Sequence, residues 1–225
     1  MFTVSWIVAI SLLLLSFLAM IFSAKFFAKP VDELKVSFMR MFPFEMGKNT
    51  ENYGKFFSFF AYLFSGLCFS PIIIIVEQHS KLSNLNPLSI FIACILGLAG
   101  LCFVFLIIFD VTHVKAHLII FGIFASLVLL SGLLVMVRGL ISYDLFLRHG
   151  SQELILLISS IFVGLVILFV VLIVSNPKLK LWAKLEEVDG QYVRPKKFPL
   201  AYSEWGLLLS LALVETLYFV QLLVK

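Results

Sequence analysis

Long runs of apolar residues, separated by short polar stretches, repeat along the whole chain. A helix needs about 20 mostly apolar residues to cross a bilayer, whose hydrocarbon core is about 30 Å thick. A run of this kind must be helical because lipid offers no partner for free backbone N–H and C=O groups. The pattern therefore predicts an all-α polytopic membrane protein, in which residues 1–225 form one domain of six transmembrane helices packed as a bundle. The predicted spans are residues 3–24, 56–76, 88–109, 114–137, 154–175 and 205–224.

Composition supports this prediction and excludes other classes of protein. Hydrophobic residues make up 62% of the chain, against about 45–50% in an ordinary soluble domain. Charged residues make up 13%, where about 25% is usual. Because so few charges cannot cover the surface of a soluble domain, the chain is not expected to be a soluble enzyme, a disordered protein or a nucleic-acid-binding module.

The distribution of Lys and Arg predicts the orientation. Thirteen of the 17 lie in the first, third and last connections between spans, which face one side of the membrane, and four lie on the other side. The excess marks the cytoplasmic side, here called the thirteen-charge side. We therefore expect a multi-pass protein of the cell membrane with both termini extracytoplasmic. The thirteen are Lys25, Lys29, Lys35, Arg40, Lys48, Lys55, Lys115, Lys178, Lys180, Lys184, Arg194, Lys196 and Lys197.

Two connections on the thirteen-charge side have the spacing of amphipathic helices. In the first connection, apolar residues three and four apart share one helical face, and Pro43 is expected to end the segment. They are Val31, Leu34, Phe38, Met41 and Phe42. Such helices lie in the headgroup layer with the apolar side down, or they brace the bundle.

The last connection repeats this pattern, with Leu179, Trp182, Leu185 and Val188 on one face and a predicted turn at Asp189-Gly190. Lysines beside this face are expected to contact anionic lipid headgroups. The predicted headgroup-contact residues are Lys178, Lys180, Trp182 and Lys184.

Three polar residues lie at the boundary between the third and fourth spans on the thirteen-charge side. If the segment is helical, Asp110, His113 and His117 fall within about 60° on one face. Two His and a carboxylate can hold a metal ion. The remaining histidines lie on the opposite side of the membrane, so we expect no bound metal and no other cofactor. The alternative is a polar cluster that caps a tight helical hairpin.

The last span contains a carboxyl group at its predicted centre. Glu215 lies midway along the stretch from Trp205 to Lys225, where an ionised carboxylate costs at least about 2.5–3.5 kcal/mol. We therefore expect Glu215 to face the bundle interior and to be protonated at neutral pH. Glu204, about three turns earlier, shares its face, and Tyr218 flanks it, so the three form the predicted intramembrane polar site. Proton, cation or headgroup binding and a purely structural role are both consistent with this pattern.

Two stretches resemble a known family. The sequence LGLAGLCFVFLIIFDVTHVKAH, residues 96–117, resembles the turn between the third and fourth spans of the DRAM-type family. The sequence AYSEW, residues 201–205, is similar to the start of that family's last span. The family comprises six-span damage-regulated autophagy modulators and relatives in GPI-anchor remodelling. The resemblance implies a six-span, lipid-related protein in which His117, Glu204 and Trp205 are the matching positions, and it implies cytoplasmic termini, opposite to the charge count.

These patterns favour a non-enzymatic integral membrane protein that binds or organises lipid, including as an accessory subunit of a membrane complex. Its expected partners are anionic headgroups on the cytoplasmic side and another membrane protein, but no nucleic acid. A small proton-coupled transporter that uses Glu215 is the first alternative. A metal-dependent intramembrane hydrolase that uses Asp110, His113 and His117 is the second.

Overall fold

The computed structural model describes residues 2–27, 38, 41–47, 52–79, 87–109, 113–146, 153–181, 186–188, 191–193 and 198–223. Within this part of the chain, six helical segments are long and apolar enough to cross a membrane, which confirms the predicted all-α, six-span architecture. The helices are α1 (Phe2–Phe22), α2 (Pro43–Gly47), α3 (Asn52–Leu67), α4 (Ser70–His79), α5 (Pro87–Ile108), α6 (Val114–Phe146), α7 (Glu153–Val174) and α8 (Pro199–Leu223). A π-helical turn, Ser23–Phe27, extends α1, and α3 and α4 together form the second span.

Proline sets the start of three of these helices. Pro43, Pro87 and Pro199 occupy the first positions of α2, α5 and α8, where the missing N–H costs no helical hydrogen bond. In α2, the Phe42 amide donates to Glu45 Oε2 over 2.8 Å, and the Glu45 amide donates to the Phe42 carbonyl over 3.2 Å. This reciprocal cap fixes the start of the helix. Pro43 therefore begins a short helix, whereas the sequence pattern predicts only that it ends the preceding segment.

The last helix begins earlier than predicted. It starts at Pro199 and not at Trp205, since the polar residues of its first turns lower the local hydropathy without breaking the helix. The midpoint of α8 is therefore Leu211. Glu215 lies four residues beyond it, or about 6 Å at 1.5 Å per residue, so it is displaced from the helix centre toward the C-terminal end.

Helix α8 is the centre of the bundle. It packs against four of the other long helices, α1, α5, α6 and α7. In contrast, the main contacts of α7 among the described residues are with α6 and α8. Its buried residues include Glu204, Leu208, Leu211 and Glu215, which confirms that this predicted face is turned inward. The outward surfaces of the surrounding helices carry exposed Leu, Ile, Val and Phe, as expected for helices that contact lipid.

The second span is interrupted between Leu67 and Ser70. Pro71 has no N–H to donate to the Leu67 carbonyl, and its ring would clash with that carbonyl in a regular helix. The Phe69 amide instead donates to the Gly66 carbonyl over 3.1 Å. Pro71 thus accompanies an interruption of the helix at Cys68 and Phe69, here called the α3–α4 break.

The α3–α4 break packs against glycines of α5. A Cβ on Gly97 would lie 2.7 Å from the Phe69 ring, and a Cβ on Gly100 would lie 2.8 Å from Cys68 Cβ. Only glycine permits this approach. In contrast, Gly122 faces open space, so the small-residue pair that it forms with Ser126 does not pack inside the bundle.

The three connections that carry the thirteen charges lie at the same end of the bundle. Phe42 of the first connection packs edge-to-face on His117, which follows the third connection, and on Phe198, which ends the last connection. At the opposite end, Trp6 near the N-terminus packs against Phe219 near the C-terminus, with ring centroids 5.3 Å apart. The even number of spans therefore brings both ends of the chain to one side.

The two predicted interfacial helices are not confirmed. Most of the first lies outside the described residues, but Phe38 packs against Trp205 with ring centroids 4.8 Å apart, and Met41 and Phe42 are buried. These three residues brace the bundle.

The prediction of a second interfacial helix that continues through Val188 is wrong. The chain forms a 3₁₀ helix, Pro177–Leu181, followed by the short antiparallel strands β1 (Glu186–Val188) and β2 (Gln191–Val193). Asn176 ends α7 locally because its side-chain carbonyl accepts the Lys178 amide over 3.0 Å. The two residues between the strands are the Asp-Gly pair predicted as a turn, and they lie outside the described residues.

Candidate functional site

His117 and Glu204 form a buried pair near the thirteen-charge side. Their atoms Nε2 and Oε1 are 2.7 Å apart, and their side chains are 1% and 2% exposed. His117 Nδ1 lies 2.6 Å from the Phe109 carbonyl oxygen, which can only accept, so Nδ1 carries a hydrogen. The Nε2–Oε1 contact then needs one further proton, held on either the imidazole or the carboxyl. In both cases the pair has no net charge, which is the state that burial favours.

The structure builds this pair from α6 and α8, which approach each other at their first turns. The Trp205 indole donates to the Met41 carbonyl over 2.8 Å, so the first connection closes over the pair. The Glu45 carboxylate is near enough to repel negative charge on Glu204. Glu204 Oε2 is buried and has no hydrogen-bond partner among the described residues.

The predicted cluster of Asp110, His113 and His117 does not form on one helical face. Helix α6 begins at Val114, so His113 lies before it, is exposed and packs against the Phe109 ring. His117 points inward to Glu204 instead. Asp110 lies outside the described residues.

Glu215 is fully buried in the interior of the bundle, as predicted. Neither of its carboxyl oxygens has a hydrogen-bond partner among the described residues. A structural Glu would be satisfied by a Ser or Thr hydroxyl, but no such bond is present among the residues that the structure describes. Its polar neighbour is the Cys68 thiol at the α3–α4 break, which interacts with the carboxyl electrostatically without reaching the geometry of a regular hydrogen bond. A buried carboxyl with both oxygens unpaired is costly, and a bound proton or cation would offset that cost.

Tyr218 belongs to a separate polar cluster toward the other end of the bundle. Its hydroxyl donates to the Ser89 carbonyl over 2.6 Å. The Arg138 guanidinium donates from Nε to Ser89 Oγ over 3.1 Å and from Nη1 to Gln221 Oε1 over 3.4 Å, and it lies 5.7 Å from the Tyr218 ring centroid. Sequence reasoning missed Ser89, Arg138 and Gln221. The available signal was a basic residue at the predicted end of the fourth span.

The predicted polar site on α8 is therefore two sites. Glu204 and Glu215 share a face, but 11 residues of helix separate them by about 16 Å. Tyr218 is one turn from Glu215 but bonds to α5. The helix thus carries a His117–Glu204 pair near one end and an unpaired Glu215 in the interior.

The predicted headgroup residues are only partly described. Lys178 is exposed in the 3₁₀ helix that follows α7, and Lys180 belongs to the same helix. Trp182 and Lys184 lie outside the described residues. Headgroup contact therefore stays a prediction.

The residues with described side chains include His, Cys and Glu, which can ligate a metal ion. Within those residues, no three His, Cys, Asp or Glu side chains group closely enough to hold a metal ion. The Glu215–Cys68 neighbourhood offers one carboxyl and one thiol, and the His117–Glu204 pair offers one carboxyl and a ring whose nitrogens are both engaged.

Comparison with protein-family models, curated proteins and solved structures finds no match to the chain. Two of the positions on which the family resemblance rests, His117 and Glu204, are in direct contact, and Trp205 is adjacent to Glu204. Membership in the DRAM-type family stays a prediction, and the chain is described by its architecture as a six-span integral membrane protein.

Proposed function

We propose that this integral membrane protein is a small carrier whose transport cycle is coupled to protonation of Glu215. The observation that carries the proposal is the buried Glu215 carboxyl, whose two oxygens have no hydrogen-bond partner among the described residues. A structural Glu at this depth would be expected to have partners on neighbouring helices. Ionisable residues inside a bilayer are rare, and those that occur mark proton and ion pathways.

The surroundings of Glu215 support a group that changes its protonation state. The adjacent α3–α4 break is a discontinuity in a transmembrane helix, and discontinuous helices are where many carriers bind their coupling ion. The His117–Glu204 pair, one proton shared between two groups, offers a second exchange point nearer the thirteen-charge side. Helix α8 connects the two.

The carrier proposal predicts that Glu215 takes up and releases a proton. In infrared difference spectra of the lipid-reconstituted chain between acidic and alkaline buffer, we expect a protonated carboxyl band that Glu215→Gln removes. In liposomes that contain NaCl buffer and an internal pH dye, we expect an imposed pH gradient, acidic outside, to drive proton influx above that of empty liposomes, and the same variant should lose it. Gln keeps the shape and hydrogen-bonding capacity of a neutral Glu, so the variant isolates the proton.

Glu204→Gln is the matched comparison for the infrared measurement, because it alters the other buried carboxyl of α8 and should leave the Glu215 band in place. A wild-type Glu215 band that never titrates, or proton influx that is unchanged in Glu215→Gln, would remove the carrier function. Loss of folding in Glu215→Gln is detected by gel filtration before either measurement.

We propose further that the thirteen-charge side faces the cytoplasm and contacts anionic lipid. The positive-inside rule supports the orientation. The exposed Lys178, directly after the apolar surface of α7, supports the lipid contact, which makes lipid organisation the second candidate function. The DRAM-type resemblance points in the same direction through its lipid-remodelling members.

The lipid proposal predicts a loss of anionic phospholipid when lysines of the last connection are neutralised. Each Lys near an anionic surface contributes about 1 kcal/mol, so replacing Lys178, Lys180 and Lys184 by Gln should weaken binding by about 3 kcal/mol. Native mass spectrometry of the full chain with phosphatidylglycerol and phosphatidylcholine measures this as lipid retained. The matched control neutralises Lys81, Arg148 and Lys225 on the other side. Equal loss of lipid in both triple variants would contradict a specific role for the last connection.

A further inference from the structure

The α3–α4 break leaves polar atoms without their usual helical partners. In a continuous helix, the Phe69 amide would donate to the Ser65 carbonyl, but here it donates to Gly66. The Ser65 carbonyl oxygen lies 2.9 Å, and Cys68 Sγ 3.2 Å, from the point that a Cβ on Gly100 would occupy. The carbonyl is therefore within about 6 Å of the thiol that adjoins Glu215.

A second orphan group lies at the same interruption. The Ser70 hydroxyl oxygen is buried and has no hydrogen-bond partner among the described residues. The residues at and beside the break thus include a carbonyl oxygen that has lost its helical donor and a hydroxyl without a partner, and Glu215, which adjoins the Cys68 thiol, adds two carboxyl oxygens. These are the ligands that hard cations prefer, and unwound backbone carbonyls supply them in ion-coupled carriers.

Charge decides which cation such a site accepts. Among the described residues, Glu215 supplies the carboxyl group that adjoins the break. Its neighbour Cys68 is uncharged as a thiol. A monovalent cation on an ionised Glu215 gives a site with no net charge. A divalent cation would leave a net positive charge in a low-dielectric interior, at a cost of several kcal/mol.

We infer that Glu215 and the α3–α4 break form a binding site for a small monovalent cation, Na⁺ or Li⁺, which competes with the proton of Glu215. As the cation binds, the carboxyl O–H bond breaks, the proton leaves to solvent, and both carboxylate oxygens face the cation. The inference rests on the proposed function in that both use Glu215, and it names the coupling ion as a cation exchanged for a proton.

The test is proton release from the purified full chain in lipid nanodiscs with a pH dye in weak buffer. Adding NaCl or LiCl should release about one proton per chain, because ligand groups must be deprotonated to bind a cation. Choline chloride at equal ionic strength should release none, and Glu215→Gln should abolish the response. Cys68→Ser, which replaces a soft sulfur by a hard oxygen, should lower the half-maximal Na⁺ concentration severalfold.

A second measurement needs no variant. Infrared difference spectra of the wild-type chain in NaCl minus choline chloride at constant pH should show loss of a protonated carboxyl band and gain of a carboxylate band. A Glu215 band that titrates with pH but not with NaCl overturns the cation site and leaves the carrier proposal intact. If NaCl releases a proton but the liposomes show no proton influx, the carrier proposal is overturned and the cation site stands. Proton release by CaCl₂ equal to that by NaCl overturns the charge argument and the monovalent site with it.

Discussion

His117→Leu is expected to lower the free energy of unfolding by about 3–5 kcal/mol. The substitution removes the His117 ring that contacts Glu204 Oε1 over 2.7 Å, and Glu204 Oε2 already has no partner among the described residues. Breaking a buried pair from one side leaves the other polar group uncompensated, which costs about this much. The Phe109 carbonyl loses its donor as well. Equilibrium unfolding in mixed micelles measures the change.

The paired double variant separates the two causes of this loss. His117→Leu combined with Glu204→Leu should recover most of the stability, because an apolar pair of similar volume leaves no orphaned polar group. His113→Leu is the matched control: it is the same substitution four residues earlier at an exposed position, where the expected loss is well below that of His117→Leu. If His117→Leu is as mild as His113→Leu, the pair does not stabilise the fold.

Gly100→Ala is expected to destabilise the protein by about 1–3 kcal/mol, although alanine is the better helix former. The added Cβ would lie 2.8 Å from Cys68 Cβ and 2.9 Å from the Ser65 carbonyl oxygen. Because one of these atoms is backbone and the other a Cβ, neither can move without shifting the α3–α4 break. The melting temperature in detergent should fall, and the displaced break should also weaken the Na⁺-induced proton release.

Gly122→Ala is the matched control for this substitution. It lies on a transmembrane helix, and its Cβ would meet nothing within 4 Å. The helix-forming advantage of alanine is then unopposed, so stability should be unchanged or rise by up to about 1 kcal/mol. A fall as large as that of Gly100→Ala would show that the close contact at Cys68 is not the cause.

The sequence by itself determined the features that depend on the local chain and on the solvent. The spans follow from apolar run length, because lipid admits only helices at that depth. Pro71 was sufficient to predict a kink in the second span, since its lost hydrogen bond is a covalent property. The burial of Glu215 was predictable from the cost of exposing a carboxyl to lipid. The first, third and last connections were predictable at the same end of the bundle, because successive spans cross the membrane in opposite directions.

Only the tertiary structure decided which polar groups meet. His117 and Glu204 are 87 residues apart in the chain, and Arg138 reaches Ser89 and Gln221 across three helices. Helical periodicity specifies the face of a residue but not the rotation or neighbour of its helix, so no spacing rule joins these partners. The same limit explains the second interfacial helix: apolar spacing favoured a helix through Val188, and cross-strand pairing of Val188 with Gln191 formed a hairpin instead. Glu215 illustrates both kinds of information. Its place within an apolar run was set by the sequence, whereas the packing of the α3–α4 break on Gly100 placed Cys68 beside it.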